Sequence, residues 1–162
     1  MAAGQADLYR FVRRYVGDAD EALDLVQDTY VAAWLAIRRY DPERPFDVWL
    51  RRIALNKCRD WGRRRQVRRL IRNAVGLDSP EAGRVGDPSP DPETILQDRR
   101  HLAAVSSALD DLPYGLKAPL LLATLEGRSQ VEIGDLLNLT PKAVELRIAR
   151  ARARLRAVLD QL

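Results

Sequence analysis

Ser129-Gln-Val-Glu-Ile-Gly-Asp-Leu-Leu-Asn-Leu-Thr-Pro-Lys-Ala-Val-Glu-Leu-Arg-Ile-Ala-Arg-Ala-Arg-Ala-Arg-Leu155 carries two helix starts and one tight turn within 27 residues. Ser129 with Glu132 three positions later is a capping box, in which hydroxyl and carboxylate each satisfy an orphan backbone N–H of a starting helix. Asn138-Leu139 fits a tight turn. Thr140 then offers its hydroxyl as an N-cap, and Pro141 occupies the first helical position, where a missing N–H costs nothing. Val144, Ile148, Ala151, Leu155 and Val158 share one face of the second helix, while Lys142, Arg147, Arg150, Arg152, Arg154 and Arg156 lie mostly elsewhere. A helix with one apolar face and a basic remainder, directly after a tight turn, suits a DNA major groove. The arginines alone would also suit a solvated face. The two caps around so short a turn favour the helix-turn-helix.

The charge of the rest of the chain points the same way. The 162 residues carry 27 Lys and Arg against 23 Asp and Glu, a formal net charge of +4. That modest excess is segregated. Acids gather in Asp18–Asp28 and Asp78–Asp98, bases in Arg51–Arg72 and Lys142–Arg156. Two separated basic stretches predict two contacts with a polyanion. The hydrophobic fraction of 46% is enough for packed cores, in one domain or two small ones. Cys58 is the only cysteine and His101 the only histidine, so an internal disulfide is excluded and no metal site or cofactor is expected. No apolar run is long enough to span a bilayer and the N-terminus does not read as a signal peptide. A cytoplasmic chain without membrane insertion is expected.

Working back from the helix-turn-helix, every segment with a clear period reads as helix, so the fold class is all-α. Leu8, Phe11, Val12, Tyr15 and Val16 mark a first amphipathic helix, broken by Gly17 and Asp18. A second runs from about Ala19 to Arg39, with Leu23, Val26, Tyr30, Ala33, Trp34 and Ile37 at helical spacing. Pro42 and Pro45 force a loop between Tyr40 and Pro45. A third helix runs from about Phe46 to Arg72, with the stripe Phe46, Trp49, Leu50, Ile53, Ala54, Cys58 and Trp61. Residues 73–96, with four prolines and many acids, read as a flexible acidic linker. Leu102, Val105, Leu109 and Leu112 mark a further helix ended by Pro113. Leu116 to Leu125 marks the next, with Pro119 near its start or kinking it, and Gly127 closes it. The expected organisation is two small helical domains, 1–72 and 97–162, joined by the linker 73–96. The linker has too little apolar content to fix an arrangement of the two, which are expected to pack together only when inhibited.

The third helix carries Arg51, Arg52, Lys57, Arg59, Arg63, Arg64, Arg65, Arg68, Arg69 and Arg72, with Asp60 the one acid among them. Cations there neutralise phosphates, and exposed aromatics or amides can stack on or hydrogen-bond unpaired bases. Trp49 and Trp61 lie on the apolar stripe and are expected in the core. Asn56 lies off that stripe among cations, costs helix propensity, and is a candidate for base contact.

In this order the parts resemble the extracytoplasmic-function branch of the sigma-70 family, the promoter-specificity subunits of bacterial RNA polymerase. Asp20-Glu-Ala-Leu-Asp-Leu-Val-Gln-Asp-Thr-Tyr-Val-Ala-Ala-Trp34 is similar to the family's polymerase-binding helix. Phe46-Asp-Val-Trp-Leu-Arg-Arg-Ile-Ala-Leu-Asn-Lys-Cys-Arg-Asp60 with Arg63-Arg-Arg65 is similar to the segment that reads and melts the −10 element. Leu109-Asp-Asp-Leu-Pro113 resembles the opening of the −35-reading domain. The resemblance implies that Asp24, Gln27, Asp28 and Trp34 dock on core polymerase. It implies −10 contacts from Asp47, Arg52, Asn56, Lys57, Arg59, Asp60, Arg63 and Arg64, with the loop Tyr40–Asp47 walling a pocket for a flipped base. It implies −35 contacts from Thr140, Pro141, Lys142, Ala143, Glu145, Leu146, Arg147 and Arg150. The implied partners are core RNA polymerase, promoter DNA (duplex at −35, melted at −10) and an anti-sigma factor. The recognition helix departs from the family pattern at Glu145 and Leu146, so no −35 consensus can be borrowed. Gly134 stands where the family commonly has Ala and is expected to weaken its helix slightly.

The implied function is promoter-specific transcription initiation, without chemistry of the chain's own. A polymerase-independent helix-turn-helix regulator would leave the basic, aromatic third helix unexplained. A sigma mimic that titrates an anti-sigma factor could lose its basic surfaces, and both are kept. One His, one Cys and no convincing carboxylate pair leave little for an enzyme.

Overall fold

The computed structural model describes residues 2–75 and 102–161. The linker expected at 73–96 therefore lies largely outside the described residues. Its first three positions belong to the preceding helix, which runs to Val75 instead of ending at Arg72.

Helix α1 is Ala2–Val16 and buries the five residues its period marked: Leu8, Phe11, Val12, Tyr15 and Val16. Gly17 ends it with φ +87, a left-handed conformation that suits glycine. The Asp18 carboxylate then accepts from the backbone N–H groups of Asp20 and Glu21, capping α2, Ala19–Ala36. A single 3-10 turn, Ile37–Arg39, follows. Helix α3 spans Phe46–Val75, 30 residues, or about 45 Å.

The face of α2 is only partly the expected one: Val26 and Ala33 are buried as expected, and the other four residues of the stripe are not. Ala22, Leu25, Val26, Thr29 and Ala33 are buried, whereas Leu23, Tyr30, Trp34 and Ile37 are exposed, Trp34 by 77%. The polar residues Asp20, Glu21, Asp24, Gln27 and Asp28 leave more than one apolar stripe on α2, and packing against α1 and α3 buries the one with Ala22, Leu25, Val26 and Ala33. Thr29 is tolerated there because its hydroxyl donates to the Leu25 carbonyl at 2.7 Å. On α3, Leu50, Ala54, Leu55, Cys58 and Trp61 are buried; Phe46, expected in the stripe, is exposed. Trp61 satisfies its indole N–H on Glu21 at 3.1 Å and so ties α3 to α2.

In the second half, α4 occupies 102–110 among the described residues. Leu102 is exposed rather than packed; Leu112 beyond the helix is buried. Helix α5, Tyr114–Leu125, contains Pro119 in its interior and is almost wholly apolar and buried on its central turns. Helix α6, Gln130–Leu137, has the capping box: the Ser129 hydroxyl accepts from Glu132 N–H, and the Glu132 carboxylate accepts from Ser129 N–H at 2.8 Å. Asn138 adopts φ 56 in the turn, Thr140 caps, and α7 runs Pro141–Leu159. Val144, Ile148 and Ala151 are its buried face.

Gly134 is not a weak point in α6. A Cβ there would sit 2.5 Å from the Leu139 carbonyl oxygen, because the chain returns across α6 at this residue and Leu139 N–H donates to the Gly134 carbonyl at 2.9 Å. Glycine is demanded by that close approach.

The two halves are packed together. Among the described residues the contact is made by α1 and α3 against α5 and α6. The rings of Tyr15 and Tyr114 meet edge-on at 6.3 Å, and the Lys117 ammonium stands 4.9 Å over the Tyr15 ring. Lys117 is buried and pairs with Asp110 at 2.9 Å. Burial lowers its pKa, opposed by the Asp110 charge.

Candidate nucleic-acid interface

The helix α3 rises out of the loop 40–45, and the loop is built from short-range bonds. The Asp41 carboxylate accepts from the Glu43 N–H at 3.1 Å, an Asx turn, and the Tyr40 hydroxyl donates to the Arg44 carbonyl at 2.6 Å. That bond folds Tyr40 against the first turn of α3. Its ring lies 5.5 Å from Phe46 and 5.1 Å from Trp49, and those two are 5.6 Å apart. The result is a three-ring cluster with Phe46 on its open side. Of the two residues expected on the core stripe, Trp49 packs against the core as well as joining this cluster, and only Phe46 is exposed. The signal available was the 46/49 spacing with a tyrosine just before a proline loop. Such a cluster can offer a stacking face to an unpaired base.

Along α3, Asp47, Asn56, Arg59, Asp60, Arg63 and Arg64 are exposed, and Lys57 is half-buried. Asp47, in the first turn, complements the positive end of the helix. Arg59 Nε lies 3.7 Å from Asp60 Oδ1, and Arg64 Nε donates to the Asp60 carbonyl at 3.4 Å. These loose contacts leave the row of cations available to phosphates. Arg52 is the exception: its Nη2 donates to the Asp135 carbonyl oxygen of α6 at 2.7 Å. Its neighbour Arg51 is buried, with its guanidinium 5.3 Å over the Phe11 ring and 3.0 Å from Glu126. Burial lowers the pKa of Arg51, opposed by the Glu126 charge.

At the other basic helix, Thr140, Pro141, Lys142, Glu145, Leu146 and Arg150 are exposed at the start of α7, and Ala143 is half-buried. Lys142 Nζ pairs with Glu145 Oε2 at 2.8 Å, one turn along the same face. The carboxylate is thus partly neutralised and still an acceptor, the group that matches a cytosine N4 donor. Arg147 is half-buried and points toward α5, its Nη1 3.5 Å from where a Gly115 Cβ would stand.

On α2, Asp24, Gln27, Asp28 and Trp34 are all exposed, along with Leu23, Val31 and Leu35. An exposed Trp and Leu of 77% and 78% on one helix, edged by carboxylates, form an apolar-acidic face without a partner among the described residues. Those residues include no group of three or more His, Cys, Asp or Glu able to hold a metal ion. No helix among them is long and apolar enough to cross a membrane.

Two family models match: sigma-70 region 2 over residues 2–69 and sigma-70 region 4 over residues 102–155. The chain is 48% identical over 138 residues to the RNA polymerase sigma factor CnrH of Cupriavidus metallidurans, spanning 85% of this chain and 72% of that protein. It is 36% identical over 149 residues to the ECF RNA polymerase sigma factor SigE of Mycolicibacterium smegmatis, spanning 92% of this chain and 56% of that one. Among solved structures, CnrH in complex with the cytosolic domain of CnrY superposes with a TM-score of 0.64 at 34% identity, covering 99% of this chain and 84% of that one. The sigma factor RpoE of Bartonella quintana, in complex with the anti-sigma factor NepR, gives a TM-score of 0.68 at 21% identity over 98% and 93% of the two chains, a likeness of fold.

Proposed function

The chain belongs to the extracytoplasmic-function branch of the sigma-70 family, and from that premise we propose that it binds core bacterial RNA polymerase and directs promoter-specific initiation. The division of labour follows from the two basic helices. Helix α7, behind its capped turn, reads the −35 element as duplex through Lys142, Glu145, Leu146 and Arg150, with Arg147 completing the surface once it leaves α5. Helix α3 takes the −10 strand after melting. Arg59, Arg63 and Arg64 hold phosphates, Asn56 supplies amide hydrogen bonds to a base, and the Tyr40–Phe46–Trp49 rings give a stacking wall. Extruding a base costs a few kcal/mol, and stacking on aromatics returns about 1–3 kcal/mol per base. The α2 face of Asp24, Gln27, Asp28 and Trp34 docks on polymerase.

The observation that carries this reading is the exposure of Asn56 among Arg59, Arg63 and Arg64, on a helix that starts in an aromatic cluster and is separate from the helix-turn-helix. A duplex reader alone has no use for it. The solved complexes of CnrH with CnrY and of RpoE with the anti-sigma factor NepR support control by an anti-sigma partner. The chain acts by binding, in the cytoplasm where polymerase is found, and contributes no chemistry of its own.

Run-off transcription with purified core polymerase on a randomised promoter library is the test. Transcripts that require this protein and share −35 and −10 motifs are expected, and the motifs give its specificity. Duplex binding without any such transcripts would replace this reading with a polymerase-independent regulator. Neither transcripts nor DNA binding would point to a mimic that titrates an anti-sigma factor.

A further inference from the structure

Helix α3 changes character past Trp61. Up to there its buried row is Ala54, Cys58 and Trp61, at steps of four and three residues. The next position of that row is Arg65, whose Nη1 donates to the Val16 carbonyl at 3.2 Å and whose Nη2 stands 3.8 Å from Asp110 Oδ2. Polar bonds replace packing there. The apolar residues that follow, Val67, Leu70 and Ile71, are in phase with a different row. Asn56, Asp60, Arg63, Val67 and then Leu70 and Ile71 repeat at the same steps of four and three, so they share the face that Asn56 turns to solvent. That face is opposite the core, since residues 54 and 56 are about 200° apart around the helix. Val67, Leu70 and Ile71 are 54%, 61% and 58% exposed, and among the described residues none of them joins the core. Arg64 and Arg68, also exposed, border the stripe on one side. Three adjoining aliphatic side chains held in water on a basic helix mark a surface that a partner covers.

We propose that Val67, Leu70 and Ile71 read thymine methyl groups in the major groove of the duplex just upstream of the −10 element, which makes them specificity residues outside both promoter elements. The inference rests on the promoter-reading function proposed above. Thymine is the base that presents a methyl group in the major groove, and apolar side chains recognise it by contact. The phosphates beside it suit Arg64 and Arg68. The direction follows from chain order. Helix α3 carries the −10 candidates first, and its C-terminal end leads through residues 76–101 to the −35 reader. The stripe therefore lies on the upstream side of Asn56. It begins about 17 Å and ends about 22 Å further along the axis at about 1.5 Å per residue, the length of about five to seven base pairs. Melting at −10 and duplex reading at −35 leave the DNA between them paired, so its methyl groups line a groove. An acidic amphipathic protein helix would match the same apolar and cationic chemistry. Continuity with the Asn56–Arg63 row favours DNA, because a strand held at that row brings its upstream duplex over Val67.

The test is run-off transcription with core polymerase on a promoter that this chain selects from the randomised library. Thymine is placed at each spacer position in turn, on either strand, and then replaced by deoxyuridine, a change that removes only the methyl group. Wild type is expected to lose about fourfold in open-complex formation per methyl removed at positions about five to seven base pairs upstream of the Asn56 contact. Uracil elsewhere in the spacer is expected to have no effect. The triple variant Val67→Ser, Leu70→Ser, Ile71→Ser is expected to use thymine and uracil templates equally, and to keep a cooperative urea transition because all three side chains are exposed. Should it unfold, Leu70→Ser alone carries the comparison. Promoter-specific transcripts that are indifferent to uracil at every spacer position overturn the thymine reading and leave the sigma function standing. A folded variant that keeps the uracil effect overturns it as well, by moving the effect to other residues. A variant that loses affinity for core polymerase, with no uracil effect in wild type, puts a protein on the stripe instead. Absence of promoter-specific transcripts from wild type on any template removes the sigma function, and the thymine reading with it.

Discussion

Asn56 and Cys58 are one helical turn's fraction apart on α3 and have opposite fates. Asn56 points to solvent among cations, so it stabilises nothing in the fold. Asn56→Ala is therefore expected to raise the urea midpoint slightly, by the helix propensity that Asn56 costs, up to about 0.7 kcal/mol, and to reduce open-complex formation on the order of tenfold, the loss of a base contact of about 1–3 kcal/mol. Core-polymerase affinity measured in parallel should not move; equal melting by the variant would remove Asn56 from the −10 site. Cys58 is fully buried, and desolvation pushes its thiol from an ordinary 9.0 up to about 12. Below pH 9 both folded and unfolded chains keep the proton. Between 9 and about 12 the unfolded chain loses it and the folded chain does not, so stability falls as pH rises. Against Cys58→Ala, the wild type should lose up to about 1.4 kcal/mol per pH unit in that window, read from urea midpoints. A pH-independent difference would place the thiol in contact with water. Glu132 illustrates the other sign: the hydrogen bonds from Ser129 hold its carboxyl below the usual range. The box is intact above that range and lost as pH falls through it.

At the scale of elements, caps were legible, and so were the buried faces of α1 and α7, whereas the face of α2 was legible only in part. The Ser129 box, the Thr140 cap, Pro141 and the Asn138 turn all lie where their residue types demand, because capping is a contact between residues three positions apart. Gly134 looked like a helix weakener and is a packing requirement. The difference is testable by sign. Gly134→Ala gains close to 1 kcal/mol of helix propensity but forces a Cβ to 2.5 Å from the Leu139 carbonyl oxygen. Steric strain of about 1–3 kcal/mol wins, so the variant should unfold at lower urea than wild type. An increase in the midpoint would show that the turn can shift at little cost. The exposed stripe on α2 makes the complementary point. Leu23, Tyr30, Trp34 and Ile37 have the period of a core face and are not in the core, since α1 and α3 took the face with Ala22 and Ala33.

For the molecule as a whole, that uncovered α2 face and the α3 face covered by α5 and α6 lie on the same three-helix body and have different uses. Trp34, 77% exposed, contributes little packing, so Trp34→Ala should change stability by no more than about 0.5 kcal/mol. It should nevertheless weaken binding to core polymerase on the order of tenfold, as expected for an exposed aromatic anchor. Unchanged affinity in a titration with core enzyme would move the docking face elsewhere. The α3 face, by contrast, is covered by the chain itself. Its charge, which reads in sequence as one uninterrupted basic surface, is divided in the structure. Arg51, Arg52 and Arg65 are committed to α1, α5 and α6, and Arg59, Arg63 and Arg64 remain outward.

The sequence by itself determined the helices, their caps, the helix-turn-helix and the two basic segments, because each depends on residues within a turn or two of one another. The exposed candidates on α2, α3 and α7 were legible for the same reason: polar residues off an apolar stripe rarely have another place to go. Tertiary structure alone decided which of two apolar stripes α2 would bury, that Tyr40, Phe46 and Trp49 would gather beside α3, and that Arg51 would be drawn inside against Phe11 and Glu126. It also decided that the halves close on each other. Those outcomes rest on pairs such as Arg51–Glu126 and Arg52–Asp135, whose members are 75 and 83 positions apart. No local period reports such a contact, since its energy exists only once both helices have formed and met.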